Sequence, residues 1–395
     1  ICEDLWDYTY SRNLSNELKK NGAELIINIS ASPYRVDRLV DRCKLIKEKV
    51  ISNGIPFLYC NLVGAQDELI FDGQSVAYDG KGNLIAQGKA FVEEISMVDL
   101  DNQDSLELNI LKREEKIYNA LVLGVKDYFK KTGHSEAVLG LSGGIDSSLT
   151  ACIAVDALGK DNVHGVSMPS KYSSEHSKED AKKLSDNLGI DYQVVSIESI
   201  VDSFEHSLKA SYNGTEPGGV AEENIQSRAR GSIIMALSNK FDWLVLSTGN
   251  KTELAMGYCT LYGDMNGGLS VISDLSKTDV YALSRWVNEN SGSERIPLSS
   301  IEKAPSAELR PNQVDPFDYD VVSPLVTDLI DNQVSPSQLI EEGADPELVE
   351  DISKRIRMNE YKRRQAAPGL RVTSKAFGMG RRVPIVNQYD ELNHD

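Results

Sequence analysis

The chain has 395 residues and a mass of 43.6 kDa, room for two or three domains, and its 41 % hydrophobic content is ample for their cores. Its 42 Lys+Arg against 60 Asp+Glu leave a net charge of −18, which excludes a general binder of nucleic acid or of an anionic membrane, because either surface would repel it. No apolar run reaches the ~18 residues of a spanning helix, no basic-then-apolar leader is visible, and the five cysteines form no CxxC pair, so neither a disulfide framework nor a cysteine zinc site is indicated and a cytoplasmic protein is expected.

The chain opens at Ile1 rather than Met, and Cys2 reads as the end of a buried strand, so a fragment of a longer protein is expected. Residues 25–30 and 55–60 read as buried strands, with a helix over 38–53 between them. The run 75–78, the turn Asp79-Gly80-Lys81-Gly82 and the run 83–86 form a hairpin signal. Residues 99–106 are acidic and nearly free of core residues, which predicts a linker between a domain over 1–98 and another over 107–395. Ile110, Ile117, Leu121, Val125 and Tyr128 then follow helical spacing.

From Ala137 onward, short β-rich runs at 137–141, 163–168, 192–197 and 243–247 alternate with helical stretches at about 147–158, 175–188 and 222–239. That alternation predicts an α/β fold with a doubly wound parallel sheet, whose ligands bind at the carboxyl ends of the strands. The loops after Leu141, Met168 and Ser247 are therefore the places to search. Residues 354–382 carry ten Lys/Arg and one Glu, against the acidity of the rest. They read either as a solvated basic helix and tail or as an anion clamp through Lys362, Arg363 and Arg364. The five histidines show no ligand spacing, and no chemistry is assigned to them.

The strongest motif is Gly140-Leu141-Ser142-Gly143-Gly144-Ile145-Asp146-Ser147-Ser148, which leaves a predicted strand and enters a predicted helix. Glycines let backbone N–H groups approach an anion, the helix N-terminus adds its positive end, and the serine hydroxyls donate. A Walker A loop would need a Gly-Lys-Ser/Thr ending that is missing here. The carboxylate of Asp146 would repel a phosphate unless a divalent cation lay between them, which implies Mg2+. A helix cap on a Gly-rich turn would account for one serine or the aspartate, but not for the whole set.

The loop 142–147 resembles the SGGxDS loop of the ATP pyrophosphatases, which adenylate an oxygen and release pyrophosphate. Within that superfamily four further stretches resemble the NAD synthetases: Glu222-Glu223-Asn224-Ile225-Gln226-Ser227-Arg228-Ala229-Arg230, Ser247-Thr248-Gly249-Asn250-Lys251-Thr252-Glu253, Gly257-Tyr258-Cys259-Thr260-Leu261-Tyr262-Gly263-Asp264 and Ser276-Lys277-Thr278. Tyr361-Lys362-Arg363-Arg364 matches their basic C-terminal motif, and the likeness spans about 107–395. Near the start, Ile1-Cys2-Glu3-Asp4-Leu5-Trp6, Asn28-Ile29-Ser30-Ala31-Ser32-Pro33 and Phe71-Asp72-Gly73-Gln74-Ser75 resemble the nitrilase family. A nitrilase-like α/β sandwich ahead of an ATP-pyrophosphatase fold is the layout of the glutamine-dependent NAD synthetases.

That resemblance implies a ligase that amidates deamido-NAD with ATP and Mg2+, taking ammonia from glutamine in the whole enzyme, as a homodimer or larger oligomer. Carried over position by position, residues 140–147 bind ATP phosphates, Thr248 and Lys277 contact ATP, and Ser306 stands where the family often has Thr near the phosphates. Asn224, Glu253 and Lys362 hold the deamidated dinucleotide, with Glu253 and Asp146 as Mg2+ ligands. Ser32 and Arg38 belong to a glutamine pocket, and Cys2 is the nucleophile of a Glu–Lys–Cys triad whose other members would precede Ile1, so ammonia alone is expected to serve this chain. Thr248 could instead cap a helix, Glu253 could be a surface glutamate, and Arg228 and Arg230 could be salt-bridged at a dimer contact. Leu261 stands where ammonia-only relatives often carry a lysine, which fits the glutamine-dependent branch. The rival readings are another amidotransferase of the superfamily, such as GMP synthetase, and a non-catalytic nucleotide-binding protein.

Overall fold

In the first hundred residues one amphipathic helix covers one face of a small mixed sheet. This computed structural model describes residues 1–101, 104–215, 218–389 and Leu392; Asn102 and Gln103 of the expected linker, and His394, lie outside the described residues. The chain divides into two compact units, Ile1–Asp127 and Tyr128–Asp395.

In the first unit a 3-10 helix over Cys2–Thr9 is followed by α1 (Leu14–Lys20), β1 (Ile26–Ser30), α2 (Arg38–Asn53) and β2 (Phe57–Asn61). A hairpin of β3 (Val63–Gln66) and β4 (Leu69–Asp72) comes next, then β5 (Val76–Tyr78), β6 (Leu84–Gln87) and α3 (Arg113–Thr132), which runs past the boundary at Asp127. The main sheet runs β1-β2-β5-β6, with β1 and β2 parallel and the later pairs antiparallel. On α2, Leu39, Cys43, Ile46 and Val50 recur every three or four residues and bury themselves on Ile26, Phe57, Tyr59 and Val76. Each such side chain contributes about 1.5–3 kcal/mol. Gly54, at φ +64°, ends the helix as only glycine does without strain.

Two expectations change. Cys2 lies on no strand: its φ is +48° and Asp4 N–H donates to the Ile1 carbonyl at 3.2 Å, so a local turn satisfies the backbone where no neighbouring strand pairs with it. Ile110 lies outside α3 and is exposed, while Ile117, Leu121 and Val125 are fully buried. Residues beyond 104 remain tied to the first unit, because Leu106 N–H donates to Leu84 O and Lys116 Nζ donates to Val36 O.

The second unit is an all-parallel sheet of order β11-β10-β7-β8-β9. Its strands are β7 (Ala137–Gly140), β8 (Val163–Ser167), β9 (Asp191–Val194), β10 (Leu244–Ser247) and β11 (Leu269–Ser270). The connecting helices are α4 (Ile145–Leu158), α5 (Glu175–Leu188), α6 (Glu198–Leu208), α7 (Val220–Phe241) and α8 (Lys251–Met256). The chain continues through α9 (Lys277–Ser291), α10 (Leu298–Glu302), α11 (Tyr319–Ile330), α12 (Pro336–Glu341), α13 (Pro346–Met358) and α14 (Glu360–Arg363). From β7 the chain winds outward through β8 and β9, then returns to β10 on the other side. The crevice at that reversal lies between the ends of β7 and β10. Helix α4 buries Leu149, Ala151, Cys152, Ile153 and Ala154 because it is apolar on every side. At the far edge, Ser270 bridges Gly369 in parallel and its N–H donates to Pro368 O at 2.8 Å, so residues 368–369 continue the sheet past β11.

Candidate active site

Strand β7 ends at Gly140, and Leu141 N–H still donates to Val166 O at 2.9 Å, so the chain leaves the sheet firmly held. It then turns through Gly143 at φ +77°, where an added Cβ would lie 2.2 Å from the Ser177 carbonyl oxygen. Only glycine allows this approach of the loop to the head of α5. Ser142 Oγ accepts from Gly144 N–H at 3.1 Å and lies 3.2 Å from Ser147 Oγ, while the hydroxyls of Ser147 and Ser148 donate to Gly144 O. The loop thus delivers the N-terminus of a fourteen-residue helix to the crevice, with Asp146 in its first turn.

Asp146 meets Glu253 there, 107 positions later in the chain. Asn250 caps α8 in a reciprocal box with Glu253, and its Nδ2 also donates to Asp146 Oδ1 at 2.8 Å. Lys277, the first residue of α9, donates from Nζ to Asp146 Oδ2 and, at 3.2 Å, to Glu253 Oε1. Burial pushes the Glu253 carboxyl up to about 7, against the pull of Lys277 and with the help of the Asp146 charge. Burial alone would lower Lys277, but the two carboxylates outweigh it and hold the ammonium above the ordinary lysine value. Among the described residues no group of three His, Cys, Asp or Glu could hold a metal ion. A pair of hard carboxylate oxygens suits Mg2+, which takes one or two carboxylates and completes its shell with phosphate oxygens and water. The residues present therefore fit a Mg2+ ion shared with a polyphosphate.

A cavity of about 340 Å3 opens over these groups, lined by the loops after β7, β8 and β10, by α7, and by the segment after Lys303. Thr248 and Ser306 line it, as do Gly140, Leu141, Ser142, Gly144, Ile145, Asp146, Ser147, Glu253 and Lys277. Thr248 caps no helix, because Asn250 takes that role. Arg230 lines the cavity too, with Nε donating to the Met168 carbonyl at 3.0 Å at the end of β8. Burial draws its guanidinium down to about 10, opposed by the charges of Glu308 and Asp264. Arg228 instead turns outward to Leu261 O.

Asn224 and Lys362 lie beside the cavity and support its wall. Asn224 Oδ1 accepts from Thr260 Oγ1 at 2.7 Å, and Lys362 Nζ donates to the carbonyls of Gly257 and Cys259 at 2.8 and 2.9 Å. Arg363 is buried and donates to Leu254 O and Ile356 O, and Arg364 to Glu360 and Val383 O, so the basic C-terminal motif is largely spent on backbone carbonyls. Of its three cations, Arg363 is least suited to an anion clamp.

In the first unit Ser32 and Arg38 come together, with Arg38 Nε 3.4 Å from Ser32 Oγ and its guanidinium stacked 3.8 Å over the Trp6 ring. Cys2 is half-buried on the same 3-10 helix as Trp6. Sequence reasoning missed the buried polar chain beneath them. Ser32 N–H donates to Asn61 Oδ1, Asn61 Nδ2 donates to Asp72, and Asp72 pairs with Arg42 at 3.0 Å. An arginine between the apolar positions Leu39, Cys43 and Ile46 of α2 was the available signal. In the second unit the Asn250-x-x-Glu253 spacing would have revealed the cap that aligns both carboxylates.

The NAD synthase family model matches residues 117–366, and the carbon-nitrogen hydrolase model matches residues 1–108. A glutamine-dependent NAD(+) synthetase of Thermotoga maritima is 43 % identical, across 99 % of this chain and 74 % of its own length. One from Synechocystis sp. is 46 % identical, across 98 % and 72 %. The solved structure of a glutamine-dependent NAD+ synthetase from Acinetobacter baumannii, in complex with ADP, shares 38 % identity and a TM-score of 0.73 over 99 % of this chain and 72 % of that one. On these matches, with the loop, its carboxylate pair and its lysine assembled at the reversal of a parallel sheet, the chain belongs to the NAD synthase family.

Proposed function

We propose that this chain amidates the nicotinate carboxylate of deamido-NAD to give NAD+, using ATP and releasing AMP and pyrophosphate. The observation that carries the reading is the meeting of Asp146, Glu253 and Lys277 beside the 140–147 loop in one cavity. A carboxylate does not react with ammonia directly, since its leaving group would be oxide. Transfer of the adenylyl group to that oxygen, with departure of pyrophosphate, turns the leaving group into AMP. Ammonia then attacks the carbonyl carbon, and AMP departs.

The chain needs no side-chain nucleophile for this; it positions the reactants and neutralises charge. The 140–147 loop and the head of α4 cradle the phosphates, while Lys277, Thr248 and Ser306 face them. Asp146 and Glu253 would hold Mg2+, which supplies charge neutralisation for the polyphosphate. Lys277 keeps the two carboxylates from repelling one another. Asn224 and Lys362 shape the wall that receives the deamidated dinucleotide, acting through the 257–264 loop. Cys2, Ser32 and Arg38 form the glutamine side of the reading. We place the enzyme in the cytoplasm as a homodimer or larger homo-oligomer, an assignment that rests on the family alone.

Mg2+, ATP and deamido-NAD, supplied with ammonium, should give NAD+ and AMP in equal amounts. Folded protein that makes neither would sink the reading. Glutamine in place of ammonium tests the first unit separately: any NAD+ formed from it requires a working thiolate at Cys2, and C2A would then abolish that reaction while sparing the ammonium one.

A further inference from the structure

The segment 303–318 forms one wall of the cavity. It has no strand pairing, and Glu308 and Asn312 sit at φ +47° and +52°. A chain in such a conformation keeps its place only where its surroundings over-determine it. The strongest fastening is at Glu308. Its Oε1 accepts from Ser174 Oγ at 2.8 Å and from Ser177 Oγ at 2.7 Å, and its Oε2 accepts from Ser174 N–H at 3.2 Å. Ser174 is the N-cap of the fourteen-residue α5, so the carboxylate also faces the positive end of that helix. Lys303 Nζ reaches the same Ser177 Oγ at 3.1 Å and Asp180 at 3.2 Å.

Two links connect this fastening to the cavity. Glu308 N–H donates to Ser306 Oγ at 3.1 Å, fixing the hydroxyl that lines the cavity. The backbone of Ser177 is what crowds Gly143 of the phosphate loop, and Ser300 Oγ donates to the Gly143 carbonyl at 2.9 Å. The head of α5 therefore touches both the phosphate loop and the segment that carries Ser306.

We propose that Glu308 is a positioning residue: its carboxylate latches 303–318 to the head of α5 and so sets Ser306 against the phosphate loop when ATP binds. This rests on the ATP-binding reading of the cavity, while the latch itself is observable without any ligand. Losing a charge-assisted hydrogen bond is worth about tenfold in an equilibrium constant, and the latch is scaled to that.

Hydrogen exchange on the full chain without ligands reads the latch directly. In E308A the amides of 303–318 and of Ser174 should exchange about tenfold faster, with β7 and β10 unchanged. In steady state E308A should raise KM for ATP by about tenfold and change kcat by less than about threefold, and E308Q, which keeps one acceptor oxygen, should recover part of the loss. S174A/S177A should reproduce E308A, and combining all three should add less than about twofold, because one contact is being removed twice. Unchanged exchange in E308A, full additivity with the serine variants, or a fall in kcat at constant KM would overturn the proposal. If E308A does not fold, S177A alone carries the same comparison. Wild-type protein that makes no NAD+ would remove the function reading, yet the exchange result would still decide whether the latch exists.

Discussion

Lys277 is the residue on which the candidate site balances. Its ammonium separates two carboxylates whose side chains are only 18 % exposed, so removing it leaves two charges facing each other with little solvent. K277M should lose about 3 kcal/mol of stability, and MgCl2 should restore part of it by taking the place of the ammonium. Urea unfolding with and without the salt tests this, and a variant as stable as wild type in both would contradict the geometry. Cys259 makes a second case. Burial pushes its thiol up to about 12, so at pH 8 almost no thiolate is present and alkylation should be slow, rising with pH towards that value. Iodoacetamide followed by mass spectrometry should label the exposed Cys60 well before Cys259; equal rates would show that the buried setting is wrong. At this scale the sequence was readable where a motif has a mechanism, as at Asp146, Glu253 and Lys277. It was silent where a single residue works through a distant partner, as Glu308 does with Ser174 and Ser177, because no local spacing encodes a contact across 134 positions.

Elements carried more of their own signal. The helix over 38–53 and the strands at β7, β8 and β10 fall within a residue or two of their predicted limits, since each has enough residues to show a period or an apolar run. Strand β11 was invisible because two residues cannot show a period, and the β3–β4 hairpin was hidden because Gly64 and Gln66 interrupt its first strand and its turn, Asp67-Glu68, carries no glycine. Gly143 is the point at which the phosphate loop meets the head of α5. G143A places a Cβ at φ +77° against the Ser177 carbonyl, which costs about 1–3 kcal/mol in backbone strain before the clash is counted. It should cut ATP-dependent turnover by more than about tenfold while circular dichroism stays unchanged; normal turnover would mean that the loop has more room than its contacts allow. Lys251 anchors the first turn of α8, next to the Asn250 cap. Its Nζ lies 2.6–2.9 Å from Asp274, Asp331, Thr373 Oγ1 and the Lys375 carbonyl, and the side chains of Lys251 and the two aspartates are nearly sealed from water. K251M should cost about 3–5 kcal/mol in urea unfolding, because it strands two buried carboxylates; a loss under about 1 kcal/mol would mean that those carboxylates find protons or other partners.

Across the whole molecule, charge sets the approach of the nucleotide. With a net charge of −18, the protein repels a polyphosphate anion at long range even though its cavity holds Lys277, Lys303 and Arg230. At about 10 mM salt the screening length is ~30 Å and the full charge is felt, whereas at about 100 mM it is ~10 Å and the local cations dominate. ATP association should therefore speed up as salt rises through that range, as stopped-flow binding would show; slowing would mean that the local cations govern even at long range. The outermost strand bears on a different property, the tendency of the protein to stick to itself. Because Pro368 and Gly369 close the hydrogen-bonding edge at Ser270, and a Cβ on Gly369 would lie 1.9 Å from Ser273 Oγ, this short seam acts as a hem on the sheet. Chains carrying a bulky residue at Gly369 would leave an open edge ready to recruit another strand, and expression yield and shelf life would suffer before the cavity did.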